Sequence, residues 1–452
     1  MTNRTLTQSL HKNQFPAHFK WGVSVAAYQI EGAHNSDGKG QSIWDVFANQ
    51  KGNIHLNQHG NIACDFYNQY QQDIQLLKQL NIPNFRFSIA WSRILPNGIG
   101  DVNEAGIAYY NQLIDYCIAQ KIEPWLTLYH WDLPYALEKK GGWTNREVIS
   151  WFSQFVSLCA TRFGNRVKHW MVMNEPVVFT GAGYFLGIHA PGRRGMDNFL
   201  PAIHHTTLAI AEGGRILKKI LPPDAQVGTT FSCSYIQPYR NLPRDQKAAN
   251  RVDALLNRLF IEPLLGLGYP DKELPILKNI KKYMQPGDEH KMVFDFDFIG
   301  IQNYTREVVK NAWFTPYINA SLIAAPKRKV ATTAMRWEIY PEAIYKMIEK
   351  FSAYTNIKKL YITENGAAFA DEIKNGEIND IERIKYFETH IAQVLKATQD
   401  GLKIDGYFVW TLTDNFEWAE GYHPRFGLIH VDFDTQKRTI KNSGKWFTDF
   451  LS

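Results

Sequence analysis

The chain is poor in cysteine, in long apolar runs and in charge of either sign. Its four cysteines (Cys64, Cys117, Cys159, Cys233) show no C-x-x-C spacing, which excludes a disulfide frame or a zinc ribbon and predicts free buried thiols. No run of 18 apolar residues occurs; the stretch 177–190 carries three glycines and a histidine, so no membrane span is expected. The opening "MTNRTLTQSLHKNQF" holds no continuous apolar segment; no leader is expected, and cytoplasm is the expected compartment. The net charge is only +6. The densest basic cluster, Lys327-Arg328-Lys329, is a solvated loop by this reading, and nucleic acid is not an expected partner. H-E-x-x-H is missing, and His204-His205, placed at a helix start, is the sole adjacent histidine pair. Neither a metal nor a cofactor is expected. Low-complexity linkers and exact repeats are missing too, so residues 1–452 are read as one domain, with 1–14 as a flexible extension.

What the chain has in abundance is aromatic surface: 13 Trp, 22 Tyr and 27 Phe, or 14%. A large core accounts for some of it. A cleft with flat apolar walls accounts for it as well, since aromatic faces pack on the C–H faces of sugar rings while their polar tips hydrogen-bond.

A looser rhythm organises the sequence. Short β-rich runs occur at 19–27, 84–88, 123–128, 169–173, 226–231, 297–302, 359–363 and 405–410. Helix-period segments lie between most of them. Phe66, Tyr70, Ile74 and Leu77 share one helical face, as do Ile384, Phe387, Ile391 and Val394, with Gly401 placed to end the second helix. Eight strands alternating with helices predict an α/β fold, a single (β/α)8 TIM barrel with loop insertions at the C-terminal face of the strands. A doubly wound open sheet is the alternative, but no G-x-G-x-x-G opens any unit.

In such a barrel the site forms at the C-terminal strand ends. Arg86, His130, Asn174-Glu175, Asn303-Tyr304, Glu364 and Trp410 all fall there. "LYITENGAAF" stops at Glu364 and "WMVMNEP" at Glu175. A carboxylate ending a buried strand is either a salt-bridged terminus or a working group. Two of them, on the fourth and seventh strands, would face each other across the mouth, and two opposed carboxylates are the minimum equipment for glycoside hydrolysis.

The flanking residues extend this pattern. "MNEP" at 173–176 and "ITENG" at 362–366 resemble the acid/base and nucleophile signatures of glycoside hydrolase family 1, the β-glucosidase family. The resemblance continues through "FKWGVSVAAYQIEG" at 19–32, "FRFSIAWSRILP" at 85–96, "LYHWDLP" at 128–134 and "HAPG" at 189–192. It resumes with "NYT" at 303–305, "WEIYPE" at 337–342 and "WTLTDNFEWAEGYHPRFGLIHVDF" at 410–433. It implies a retaining double displacement with Glu364 as nucleophile and Glu175 as acid/base, Arg86 and Tyr304 stabilising the nucleophile's charge. It implies substrate binding by Gln29, His130, Trp131, Asn174 and Glu417, stacking on Trp410, an indole N–H from Trp418, and contacts from Phe426. Trp337 would be the platform beyond the sugar, and Asn303 would hold its neighbours in place. Small β-glycosides or short β-linked oligosaccharides are the implied substrates, with β-galactosides and β-fucosides beside β-glucosides; a homo-oligomer is compatible.

Glu417 would repel a 6-phosphate, which argues against the phosphoglycosidases of the family. The presence of Glu175 argues against its thioglucosidases, and the retention of both carboxylates against its catalytically inactive members. Two positions depart from the family pattern: Val177 stands where many relatives carry Trp, and Arg336 where Gly is usual.

Overall fold

A computed structural model describes residues 10–452. Eight parallel strands close into a barrel: β1 (Lys20–Ser24), β2 (Asn84–Ser88), β3 (Glu123–Tyr129), β4 (His169–Asn174), β5 (Gln226–Ser232), β6 (Phe298–Gln302), β7 (Leu360–Asn365) and β8 (Ile404–Trp410). Each pairs with its neighbours in sequence, and β8 returns to β1 with Lys20 opposite Gly406 and Ser24 opposite Trp410. Every strand is hydrogen-bonded on both sides, so no edge is exposed. The predicted strand positions hold to within a residue or two, except that the first ends at Ser24 and the chain turns into a short helix at Ala27–Ile30.

The barrel is a packed core at its lower end. Trp125, Met171, Phe298, Tyr361 and Phe408 form a cluster inside it. Gly22 and Gly228 make room for that layer: a Cβ on the first would stand 2.5 Å from the Phe408 ring, and on the second 2.4 Å from Phe298. Trp125 stacks on His169 at 3.8 Å between centroids, and His169 is anchored to Glu123 at 2.7 Å. The other face of the strands packs against the surrounding helices, which carry most of the apolar core.

Helix α1 (Phe66–Gln79) buries Phe66, Ile74 and Leu77, with Tyr70 half-buried beside them. Helix α2 (Ile381–Gln399) buries Phe387, Ile391 and Val394, and Gly401 ends it at φ 77°. The Gly401 N–H donates to the Thr398 carbonyl and the Leu402 N–H to Ala397, so a left-handed cap satisfies the orphan carbonyls. The four cysteines are free and buried.

One expectation needs correction, and one stretch can be described only in part. His204 and His205 do not sit at a helix start but in the interior of the long helix Met196–Ile220. There His204 meets Asp288 at 2.8 Å and His205 meets the Trp143 carbonyl at 3.0 Å, both structural contacts. The proposed extension 1–14 lies partly outside the described residues, but Lys12–Gln14 form a 3₁₀ turn and Phe15 is buried against Phe19 and Trp21. Among the described residues no helix is long and apolar enough to cross a membrane.

Candidate active site

The C-terminal ends of the strands open into a cavity of about 320 Å³ whose wall includes both Glu175 and Glu364. A larger groove, about 970 Å³, lies elsewhere beside Tyr422 and Phe433. Its buried acid, Asp371, is tied to Arg383 and Lys441, so chemistry and not size singles out the smaller cavity.

Glu364 ends β7 inside a ring of donors. Arg86 Nη1 donates to its Oε1 at 2.5 Å and Gln302 Nε2 to the same oxygen at 2.8 Å. Tyr304 Oη donates to Oε2 at 2.7 Å. Burial pushes the Glu364 carboxyl above its usual range, and these three donors pull it back. Glu175 follows β4 at φ 44°, its N–H bonded to the Thr230 carbonyl and Pro176 opening a short helix behind it. Burial raises its carboxyl well above the ordinary range, and the charge of Glu364 raises it further; Ser232 and the field of Arg86 oppose this. The two carboxyls therefore sit in unlike surroundings, one ringed by donors and one whose ionisation is opposed by burial and a neighbouring charge.

Asn174 joins the strands together. Its Oδ1 accepts from Arg86 Nη2 at 2.5 Å, Gln302 at 2.8 Å and Thr230 at 3.2 Å, while its Nδ2 meets His130 Nε2 at 2.9 Å. Burial, with Arg86 adding to it, holds His130 well below the usual imidazole range. A neutral ring leaves Nδ1, which has no partner, free to face a ligand. Trp131 Nε1 donates to the Asn174 carbonyl, which fixes the indole beside the cavity.

Gln29 Nε2 donates to Asn415, to the Phe416 carbonyl and to Glu417, leaving Oε1 unpartnered. Burial first, then the charge of Glu364, pushes Glu417 up to about 8, with Gln29 and Trp410 pulling against it. Trp410 closes β8 on the cavity wall. Trp418 packs between Trp131 and Trp44, at 4.5 and 4.6 Å between centroids. Trp337 and Phe426 stand with Tyr304 as an aromatic trio, 5.3 to 6.4 Å apart, at the other side of the cavity.

Asn303, grouped with the substrate-side residues but expected to hold its neighbours in place, lies behind the cleft. Its amide is engaged by the Cys233 and Thr305 carbonyls, and its own carbonyl accepts from Asn365, so it braces the loops behind Tyr304. Three residues escaped the sequence reading: Gln302, Ser232 and Glu307. The first two end β6 and β5, and the strand-end rule that found their neighbours applies to them equally. Glu307 lines the cavity on a strand outside the barrel, and burial pushes it to about 7.

Known proteins resemble the chain over nearly its whole length. The family model for "Glycosyl hydrolase family 1" matches residues 11–452. Beta-glucosidase A of Thermotoga maritima is 40% identical over 444 residues, covering 98% of both chains. Beta-glucosidase A of Acetivibrio thermocellus is 39% identical, over 98% of this chain and 99% of that one. Among solved structures, the family 1 β-glucosidase from Thermotoga maritima superimposes with a TM-score of 0.93 at 39% identity, covering 98% of each chain. The beta-glucosidase of that organism in complex with glucoimidazole gives 0.90 at 40% identity, over 96% of this chain and 98% of that one. With a family-wide match and two unlike carboxyls in one aromatic cleft, the chain belongs to glycosyl hydrolase family 1 and is a glycoside hydrolase.

Proposed function

We propose that the chain is a retaining β-glucosidase that releases terminal, non-reducing β-D-glucosyl residues, with β-galactosides and β-fucosides as further substrates. The observation that carries this reading is the asymmetry of the carboxyls: Arg86 and Tyr304 both donate to Glu364, whereas Glu175 has no cation bonded to it. In the first step a Glu364 oxygen attacks C1 while Glu175 delivers its proton to the glycosidic oxygen. The C1–O bond breaks, the aglycone leaves as an alcohol, and a glycosyl ester remains on Glu364.

The ester carries no charge, so Glu175 loses the repulsion that had raised it. It then takes a proton from water as that water attacks C1, and Glu364 leaves as a carboxylate. The result is a sugar of unchanged anomeric configuration. Asn174 stands near the 2-hydroxyl, where contacts tighten as the ring flattens, so it acts more on rate than on binding. Gln29, His130 and Glu417 take the remaining hydroxyls, with Trp410 beneath the ring and Trp131 and Trp418 walling it. Trp337 and Phe426 receive the aglycone. Neither metal nor cofactor enters this scheme, and the cytoplasm is its proposed setting.

Incubation with a 2-deoxy-2-fluoro-β-glucoside bearing a good leaving group tests it. Peptide mass mapping should find the fluorosugar on the peptide containing Glu364, and proton NMR of an ordinary substrate should show β-glucose first. A label elsewhere, or α-glucose first, overturns the proposal.

A further inference from the structure

Outside the barrel, strands Tyr235–Pro238, Arg306–Asn311 and Ala320–Leu322 form a three-stranded sheet. Helix Pro243–Asp253 packs on it through Ala248, Ala249 and Val252, which meet Val309 and Ala320. The loop between the last two strands carries Trp313, Phe314 and Tyr317, exposed by 82%, 69% and 51%. Trp313 and Phe314 stand edge to face, 6.0 Å between centroids. Tyr239, Leu242 and Leu322 are exposed as well. The Tyr239 N–H donates to the Val309 carbonyl, and Leu322 lies opposite Val309 on the other side of its strand. Single exposed apolar residues are ordinary, but a contiguous group marks a surface that something covers.

The loop is held in this exposed form. Arg251 donates to the Ile318 carbonyl at 2.5 Å and to the Asn319 carbonyl at 2.8 Å, and Ala312 is buried at its root. Arg244 and Lys247, one turn apart on the helix and so on one face of it, are exposed, as is Lys310 on the middle strand. The stretches 239–251 and 306–322 contain just two carboxyls. Asp245 is buried against Arg240 and the Asn311 N–H, and Glu307 lines the catalytic cleft. What these stretches show to solvent is therefore aromatic, aliphatic and cationic, with no anion among them.

That combination selects among occupants. A second copy joined by a two-fold axis would set the cations against themselves. A neutral glycan would stack on the rings and gain nothing from the charge. A single-stranded nucleic acid would use rings and charge but leave Leu242 and Leu322 idle. A negatively charged lipid surface uses all three: phosphates meet Lys and Arg, Trp and Tyr settle at headgroup level, and acyl chains cover the leucines. We infer that this face docks the protein on an anionic bilayer, with Trp313, Phe314 and Tyr317 seated among the headgroups and Arg244, Lys247 and Lys310 against lipid phosphates. A few rings and a few cations give reversible, salt-sensitive attachment, not insertion. Glu307 belongs to the same six-residue strand as Lys310, so docking holds the catalytic mouth within a strand's length of the lipid.

The test is cosedimentation of the full chain with vesicles, one set of phosphatidylcholine alone and one of phosphatidylcholine mixed with phosphatidylglycerol. The mixed vesicles should bind it at least ~tenfold more tightly at low salt, and ~1 M salt should release most of it. In the double variant Trp313→Ser, Phe314→Ser, binding to mixed vesicles should weaken at least ~tenfold with the melting temperature unchanged. Arg244→Glu with Lys247→Glu should weaken it too. Absence of binding to the mixed vesicles overturns the inference, as does equal binding to both sets or binding that survives loss of both rings. A natural protein that sediments as a dimer, and as a monomer once both rings are replaced, assigns the face to a second copy and overturns it. So does tighter binding to a single-stranded oligonucleotide or a cello-oligosaccharide that the same double variant abolishes.

Discussion

Arg86 and Glu364 meet at 2.5 Å with the guanidinium wholly shielded from water, and the same guanidinium reaches Asn174 through its other terminal nitrogen. One planar group thus fixes the charge of one carboxylate and the orientation of an amide next to the other. Replacing Arg86 by Met leaves Glu364 buried without its cation. Breaking a buried pair in this way costs ~3–5 kcal/mol. We expect kcat/KM to fall by at least ~100-fold, and Arg86→Lys to restore little of it, since an ammonium cannot span both partners. Steady-state kinetics beside thermal unfolding curves check both statements.

The surroundings of the two carboxyls set the pH profile. Activity should fall in acid as Glu364 takes up a proton and fall in base as Glu175 gives its proton up. Burial raises both groups, and the charge of Glu364 adds to the rise at Glu175, so the whole bell of kcat/KM is displaced upward from the range of free carboxyls. Glu175→Gln should remove the alkaline limb. It should also slow substrates with poor leaving groups by ~10²–10⁴-fold while sparing the first step for dinitrophenyl glucosides.

Asp132 carries a different pH dependence. It is fully buried, its Oδ1 has no partner, and burial with the charge of Glu31 pushes it to about 8, Lys39 opposing and Asp45 assisting. Between the ordinary carboxyl value and about 8 the folded chain keeps this proton and the unfolded chain loses it. The contribution of Asp132 to stability is therefore fullest in acid and is lost as pH rises through about 8. Asp132→Asn should flatten that decline and stabilise the protein at pH 8 by ~1 kcal/mol or more, read from melting temperatures across the range.

Arg336 sits at φ 60°, a left-handed conformation that suits glycine, and its side chain is exposed while its neighbours Met335 and Trp337 line the cleft. Arg336→Gly should stabilise the fold by ~0.5–1 kcal/mol through relief of that backbone. The ratio of cellobiose to aryl-glucoside turnover should stay within about twofold of its natural value, since a solvated side chain contributes little to the cleft. A larger change in the ratio would place Arg336 in aglycone recognition.

The strands were legible because a buried parallel strand is a short apolar run with a hard polar stop. Glu175 and Glu364 stood out because each breaks such a run. Gln302 was hidden by its neighbours Asn303 and Tyr304, whose motif drew the attention, although Gln302 donates to Glu364, Asn174 and Thr230. Asn303 shows the converse: the motif contains it, but its amide faces carbonyls behind the cleft. His204-His205 was misplaced because Pro201, a residue suited to the first turn of a helix, lies inside Met196–Ile220, and burial runs unbroken from Phe199 to Ala211, so no single stripe marks where the helix begins.

The aromatic layer at the base of the barrel gives the cleft a floor. With Trp125, Phe298 and Phe408 filling the axis, a glycan has no way through and must enter and leave by one opening. What reaches Glu175 and Glu364 must leave by the face through which it came, and a second molecule must wait until the first has cleared that mouth.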